Sequence, residues 1–489
     1  MALKTDREKT AHILRRFGLG ASEAELDFYL QSGGLKGAID RLLDYEAIPE
    51  VDVDLARFAN DKGLVNMKAC QVWWYARILT TQRPLEQALT IFWHNHFATS
   101  AEKVDAVGAM HDHIETIRRN CSGRFQDLLT NISKDPAMLY WLDNHENKKG
   151  KPNENFAREV MELFTLGIGH YTEKDVQEAA RALTGWTYGG KRGNRVVETP
   201  KPAQRPKLND DKPGPVIAFL FRPEQHDEGE KTILGNRGNF DGDDLLGILS
   251  GNPQTALFIT HKFWTWFAYP DPEPALIDKI AKKFRDSGLD IKTLCRLVLE
   301  SPEFYSEKAE LRVVKNPVLF CVSTLRQLGL GARTAEILTD QGKAGLRGGG
   351  IPILAESSTK SMGMDLLYPP DVSGWKYGDA WISSATMVER MKWSDKLFGS
   401  FQAGKQNKAA SQRSLNYPAM GLFEEDPSPK GVVDRLMSVF DARLPASKVD
   451  QLVKAASDAS GGTVDRSNAN AVASAVCRLM FGSPEFQFC

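Results

Sequence analysis

Residues 85–97 read LEQALTIFWHNHF. Leu85, Ala88, Leu89, Phe92 and Trp93 recur at three- and four-residue spacings, the period of one helix face. The same spacing returns in residues 156–166, 275–299 and 431–440. Strand-like alternation is scarce, and residues 215–221, PVIAFLF, are its clearest instance. The expected fold is mainly α: a multi-helical globular body with a few short strands and long loop insertions.

Composition agrees with that expectation. The 489 residues are 42% hydrophobic and 26% charged, an ordinary globular balance able to fill a core. With 62 basic against 63 acidic residues the formal charge is −1. Nucleic-acid binders draw affinity from a basic excess that neutralises phosphates, so no nucleic-acid partner is expected. The six cysteines form no C-x-x-C pair, and Cys70, Cys295, Cys321 and Cys477 sit among apolar neighbours and read as buried thiols. No apolar run approaches the roughly 18 residues a membrane span requires. The first twenty residues contain no apolar leader core, so the chain as read is expected in the cytoplasm, and in the periplasm or exported if a leader has been removed.

Three stretches interrupt the helical pattern: residues 189–215, rich in Gly, Pro and basic residues; 342–352, with a run of three glycines; and 402–429, polar with three prolines. They divide the chain into a helical body over 1–400 with a loop insertion at about 189–215, a linker or loop over 401–429, and a C-terminal helical segment over 430–489 that packs on the body. One internal echo crosses this division. Residues 295–304, CRLVLESPEF, and 477–486, CRLMFGSPEF, match at seven of ten positions. Both read as helices ended by Ser-Pro, since the residue before proline avoids the α region.

Chemistry-bearing residues gather in three places. In residues 140–186 a polar turn, DNHEN at 143–147, precedes Pro152 and a helix with Glu154 in its first turn. Asn155, Glu159 and Glu162 follow an i, i+4, i+7 row along one edge of its apolar face, and Arg158 is spaced to pair with Glu154 or Glu162. Carboxylates at such a border either gain a raised pKa or simply form surface ion pairs. Thr172 and Asp175 are spaced as a capping box, with Glu178 and Arg181 spaced for pairing. The second place is His94-Asn95-His96. Histidines two apart face different sides of a helix, but at a frayed helix end both can ligate one metal. His111-Asp112-His113 repeats that spacing less favourably. The third is His226-Asp227 beside Lys231, able to supply ligands, an acid/base pair or a hydrogen-bonded turn. Serine-hydrolase elbows, zincin helices, Walker loops and dinucleotide fingerprints are missing.

Several of these segments are also family motifs. HILRRFGLG at 12–20, FWHNHF at 92–97, NENFAREVMELFTLGIG at 153–169, YTEKDVQEAARALTGW at 171–186, HDEGEKTILG at 226–235 and PPDVSGW at 369–375 together resemble the family catalogued as domain of unknown function 1800. The resemblance spans nearly the whole chain. It implies frequent export and a partner related to sulfatases and alkaline phosphatases, encoded beside many members. Phe164 departs from the family pattern, which often has histidine there.

Two functional expectations follow. In the first, the chain is a hydrolase of glycan or ester substrates that depends on a divalent metal, zinc or manganese. His94, His96, His226 and Asp227 are its metal ligands, and Glu159, Glu162, Arg158 and Asn155 its catalytic group, with either glutamate as general base. In the second, the chain is a non-catalytic binding or scaffold protein whose His/Glu/Asn/Arg cluster is a buried structural network. A weaker third makes the tryptophans sugar-stacking faces.

Overall fold

In the computed structural model the described residues are 3–60, 63, 65–192, 195–198, 217–339, 350–399 and 414–489. They contain 23 α-helices and two small antiparallel sheets. The decisive segment forms the helix Pro84–His96, opened by a proline whose missing N–H is no loss at a first-turn position. Its period suggested one apolar face, yet all its residues are buried. A helix surrounded by others has no solvent face to reserve for polar groups. It packs on the helices Val107–Asn120 and Asp6–Phe17, and the helix Met67–Thr80, capped by Asn66, is almost wholly buried too. Trp73, Trp74, Trp93, Trp264 and Trp393 are fully buried, so they are core residues and not sugar platforms. All six cysteines are buried and free. Among the described residues no helix is long and apolar enough to cross a membrane.

The segment expected to be a loop at 189–215 begins as strand. β1 (Trp186–Arg192) lies between β2 (Arg195–Glu198) and β3 (Ile217–Phe221), antiparallel to both, with Trp186 opposite Phe221 and Gly189 opposite Glu198. Pairing with β3, 30 residues further on, supplies partners that a local reading of Gly and Lys content does not see. Residues 199–216 lie outside the described residues, as do 340–349 and 400–413. β4 (Lys231–Ile233) and β5 (Asn236–Gly238) form a hairpin closed by Leu234 and Gly235, both at positive φ (50° and 81°). That is the two-residue turn whose twist matches a hairpin. Leucine there is disfavoured, and Asp175 holds the turn by accepting from Leu234 N at 2.7 Å.

The Ser-Pro echo has a plain structural meaning. The helices Ile291–Leu299 and Ala469–Gly482 both stop just before Ser-Pro, and a new helical turn starts at Pro302 and at Pro484. Each turn buries its phenylalanine, Phe304 or Phe486. The helix Ala469–Gly482 lies against the helix Ser384–Phe398, where Asp395 accepts from Ser474 Oγ at 2.7 Å and pairs with Arg478. Gln487 O accepts from Lys315 N at 2.7 Å, tying the last turn to the middle of the chain.

Candidate functional site

The His-Asn-His segment stays helical through His96, so its two histidines point to different surroundings. His94 Nε2 accepts from Leu367 N at 3.3 Å, and its ring lies 5.2 Å from Trp74 and 5.4 Å from Trp375. Its Nδ1 has no hydrogen-bond partner among the described residues. Burial, with a smaller push from His113, lowers its pKa to about 3, so it is neutral. His96 Nε2 donates to Phe164 O at 3.1 Å, and burial holds its pKa well below the ordinary range. Phe164 packs its ring 6.0 Å from that of His96. Between the two histidines, Asn95 Oδ1 accepts from Trp375 N at 2.7 Å. The PPDVSGW loop approaches so closely that a Cβ on Gly374 would stand 2.3 Å from Asn95 O, and Gly374 is at φ +83°. Only glycine fits there without displacement. His113, of the second H-x-H pair, binds Asp135 at 3.0 Å, while His111 binds the half-buried Asp112.

The third cluster is a loop docked on the helix Glu173–Ala182. Arg181 grips Asp227 with two bonds, Nε to Oδ2 at 2.8 Å and Nη2 to Oδ1 at 3.2 Å, and donates to Glu178 Oε2 at 2.6 Å. The Arg181 bonds, with Gly229 N, hold the Asp227 carboxyl down to about 2. Burial pushes Glu178 up, but the bond from Lys174 and the charge of Arg181 outweigh it and keep it ionised. His226 Nδ1 donates to Thr184 O at 2.9 Å, and Thr184 Oγ1 accepts from Asp227 N at 2.8 Å. Lys231, buried, spends its ammonium on the carbonyls of Asp227 and Gly229 at 2.5 and 3.0 Å. The capping box of Thr172 and Asp175 is formed.

The polar turn at 143–147 serves the same assembly. Asn144, fully buried, donates to Trp186 O at 3.0 Å, and Asn147 donates to Ala180 O at 2.9 Å and accepts from Asn153 N at 3.0 Å. Asn155 donates to Leu142 O at 3.2 Å and so leaves the Glu159–Glu162 row. Arg158 turns outward to Glu173, at 2.8 and 2.7 Å, and more weakly to Glu154. Glu162 accepts from Tyr171. Glu159, half-buried, carries a raised pKa, from burial first and then from Glu162. Glu159 and Glu162 are thus neighbours, whereas Arg158 and Asn155 belong to other contacts.

The four foreseen ligands therefore fall into separate hydrogen-bonded contacts. His94 meets Leu367 and the ring of Trp375, His96 the end of the helix Glu154–Glu162, His226 Thr184, and Asp227 Arg181 of the helix Glu173–Ala182. Among the described residues no three His, Cys, Asp or Glu side chains come together as a metal would require. The residues present do not fit the expected metal centre. The sequence reading also passed over two residues, Arg15 and Arg16, which are buried at the end of the helix Asp6–Phe17. Two adjacent arginines inside HILRRFGLG were the available signal: one of them at least had to face an apolar surface.

The family model described as "Protein of unknown function (DUF1800)" matches residues 12–488. No curated protein and no solved structure matches the chain.

Proposed function

We propose that this chain, which belongs to the DUF1800 family over nearly its full length, is a non-catalytic binding or scaffold protein whose His/Glu/Asn/Arg constellation is a structural network. The observation that supports this is the dispersal of the foreseen ligands into separate contacts, each of which joins distant family motifs. A polar group buried inside a protein is costly unless bonded, and once bonded it fixes a single register of the elements around it. On this reading the motifs specify how loops dock. A binding role also suits the partner implied by the family resemblance, a protein related to sulfatases and alkaline phosphatases. Elemental analysis of untagged protein, before and after incubation with zinc and manganese, tests the reading. It expects no stoichiometric metal and a lower unfolding midpoint in Arg181→Met. One bound metal per chain that is lost in His94→Ala and His226→Ala would overturn it.

A second reading, a metal-dependent hydrolase of a glycan or ester, has one observation in its favour. The Glu159 carboxyl is raised by burial and by Glu162, with no hydrogen-bond cause among the described residues, as suits a general base. Hydrolysis of a panel of aryl esters and aryl glycosides, abolished in Glu159→Gln while the unfolding midpoint holds, would establish it.

A further inference from the structure

Elsewhere the molecule buries positive charge that its own carboxylates do not balance. The helix Asp6–Phe17 ends in Arg15 and Arg16, only 6% and 5% exposed. Arg15 pairs with Asp441 through Nη1, but its Nε and Nη2 have no partner among the described residues. Arg16 Nη2 donates to Ala309 O at 2.5 Å and Nη1 meets Cys489 Sγ at 3.8 Å. Its Nε is unpartnered, and among the described residues no carboxylate pairs with it. Lys315, 9% exposed, holds its ammonium 3.8 Å from the centroid of the Phe486 ring. Arg390, fully buried, bonds only the neutral Gln487 Oε1 at 3.0 Å and Lys315 O at 2.8 Å. Arg15 and Lys315 thus share Asp441, and among the described residues no carboxylate pairs with Arg16 or Arg390. Burial lowers Arg16 to about 10 and Lys315 to about 8, which leaves both protonated at neutral pH.

A cation withdrawn from water without a partner is among the most costly arrangements a fold can hold, and an anion relieves it. A cavity is present where one is wanted. Arg15 and Arg16 line a space of about 70 Å³ together with Arg312, Trp266, Tyr377 and Trp381. Thr265 adds a hydroxyl with no partner. On this measure one water needs roughly 10–15 Å³, so the space takes a tetrahedral oxyanion with room beside it. Towards solvent lie Tyr377, 44% exposed, and the exposed Arg312, with Trp266 edge-on to Tyr377 at 5.9 Å.

We propose that this cavity binds the phosphate or sulfate end group of a ligand, with Arg15 and Arg16 as inner donors, Arg312 as outer cation, and a flat ring of the ligand against Trp266, Tyr377 and Trp381. Guanidinium forks match oxyanion geometry, and charge-assisted bonds are the strong ones. The site uses none of the residues of the histidine and acid constellation, so it stands or falls apart from the role proposed for that network.

The test is calorimetric titration of the full chain, dialysed free of phosphate and sulfate, with inorganic phosphate, sulfate, phenyl phosphate and benzoate. Saturable one-site binding is expected for the first three, with phenyl phosphate roughly tenfold tighter than phosphate if the aromatic wall takes its ring. Equal affinities for phenyl and inorganic phosphate would overturn the ring subsite and assign free oxyanion as ligand. Tighter benzoate than phenyl phosphate would overturn the tetrahedral end group. Arg312→Ala, on the surface, is expected to fold normally and weaken binding by roughly fivefold or more, and Arg16→Gln by roughly thirtyfold. In anion-free buffer Arg16→Gln should also melt no lower than the parent, because an unbalanced charge has been removed. A structural arginine would melt lower. No binding of any anion, or binding undiminished in Arg312→Ala, overturns the proposal even if Arg16→Gln fails to fold.

Discussion

Around Trp93 the chain buries two histidines among aromatic rings; around Arg181 it buries a glutamate, a histidine and a lysine among carboxylates and carbonyls. The residue types are alike, and the outcomes are opposite. In the first region no charge lies close enough to repay desolvation, so His94 and His96 stay neutral. In the second, Arg181 and its partners keep their charges, and Asp227 is driven below the usual carboxylate range. Burial alone therefore does not mark a site. What decides is whether a counter-charge arrives with it, and in both regions the protein uses the result to dock a loop.

The largest effect expected from this contrast is on acid stability. His12, like His94 and His96, is fully buried with its pKa held down by burial and then by Arg16 and Arg15. All three bind a proton in the unfolded chain near pH 6.5, while in the folded chain His94 does so only near 3. The unfolded state therefore binds more protons below pH 6.5, and stability falls as pH falls through that window. His94 removes about 1.4 kcal/mol per pH unit, about 3 kcal/mol by pH 4.5, and His12 and His96 act in the same direction. Urea midpoints at pH 7, 6 and 5 check this, and a flat profile would mean that the histidines are charged in the fold.

A mutation that strikes the aromatic region directly comes next. Gly374→Ala forces a Cβ against Asn95 O at a positive φ and should cost about 3 kcal/mol or more. Denaturant unfolding measures it, and a near-neutral result would show that the PPDVSGW loop is not clamped there.

The charged region should lose less, because it is partly wet. Arg181→Met leaves Asp227 without its main partner and Glu178 with Lys174 alone, at a cost of about 2 kcal/mol. Asp227→Asn should cost about 1 kcal/mol, and the double variant less than the sum, as a cycle of the four proteins would reveal. Asp227 adds its own signature. Its pKa is lowered in the fold, so its contribution is present above about pH 4 and is lost as pH falls towards 2. The smallest effect belongs to Arg158→Ala. Its partner Glu173 is well exposed, and the change should stay within about 0.5 kcal/mol and alter no loop.

Much of the fold was legible. The 85–97 period located a core helix, Thr172 and Asp175 formed the capping box their spacing announced, and both Ser-Pro pairs ended their helices. Residues 217–221 formed the strand their alternation suggested, whereas the start of the 189–215 stretch paired where a loop was expected. The candidate residues were legible only as types. Of the carboxylate row, Glu159 and Glu162 stayed together, while Arg158 went to Glu173 and Asn155 to Leu142 O.

The sequence by itself determined helix and turn chemistry, because caps, prolines and apolar periods act within three or four residues of each other. It also determined family membership, which six ordered motifs carry. Tertiary structure alone decided which groups meet. His94 reaches Leu367 across 273 positions, Asn95 reaches Trp375 across 280, and Arg15 reaches Asp441 across 426. Whether a buried histidine stays neutral, or a buried arginine lacks a carboxylate, depends on the dielectric and the charges that packing brings within a few ångströms. Local spacing contains no record of either.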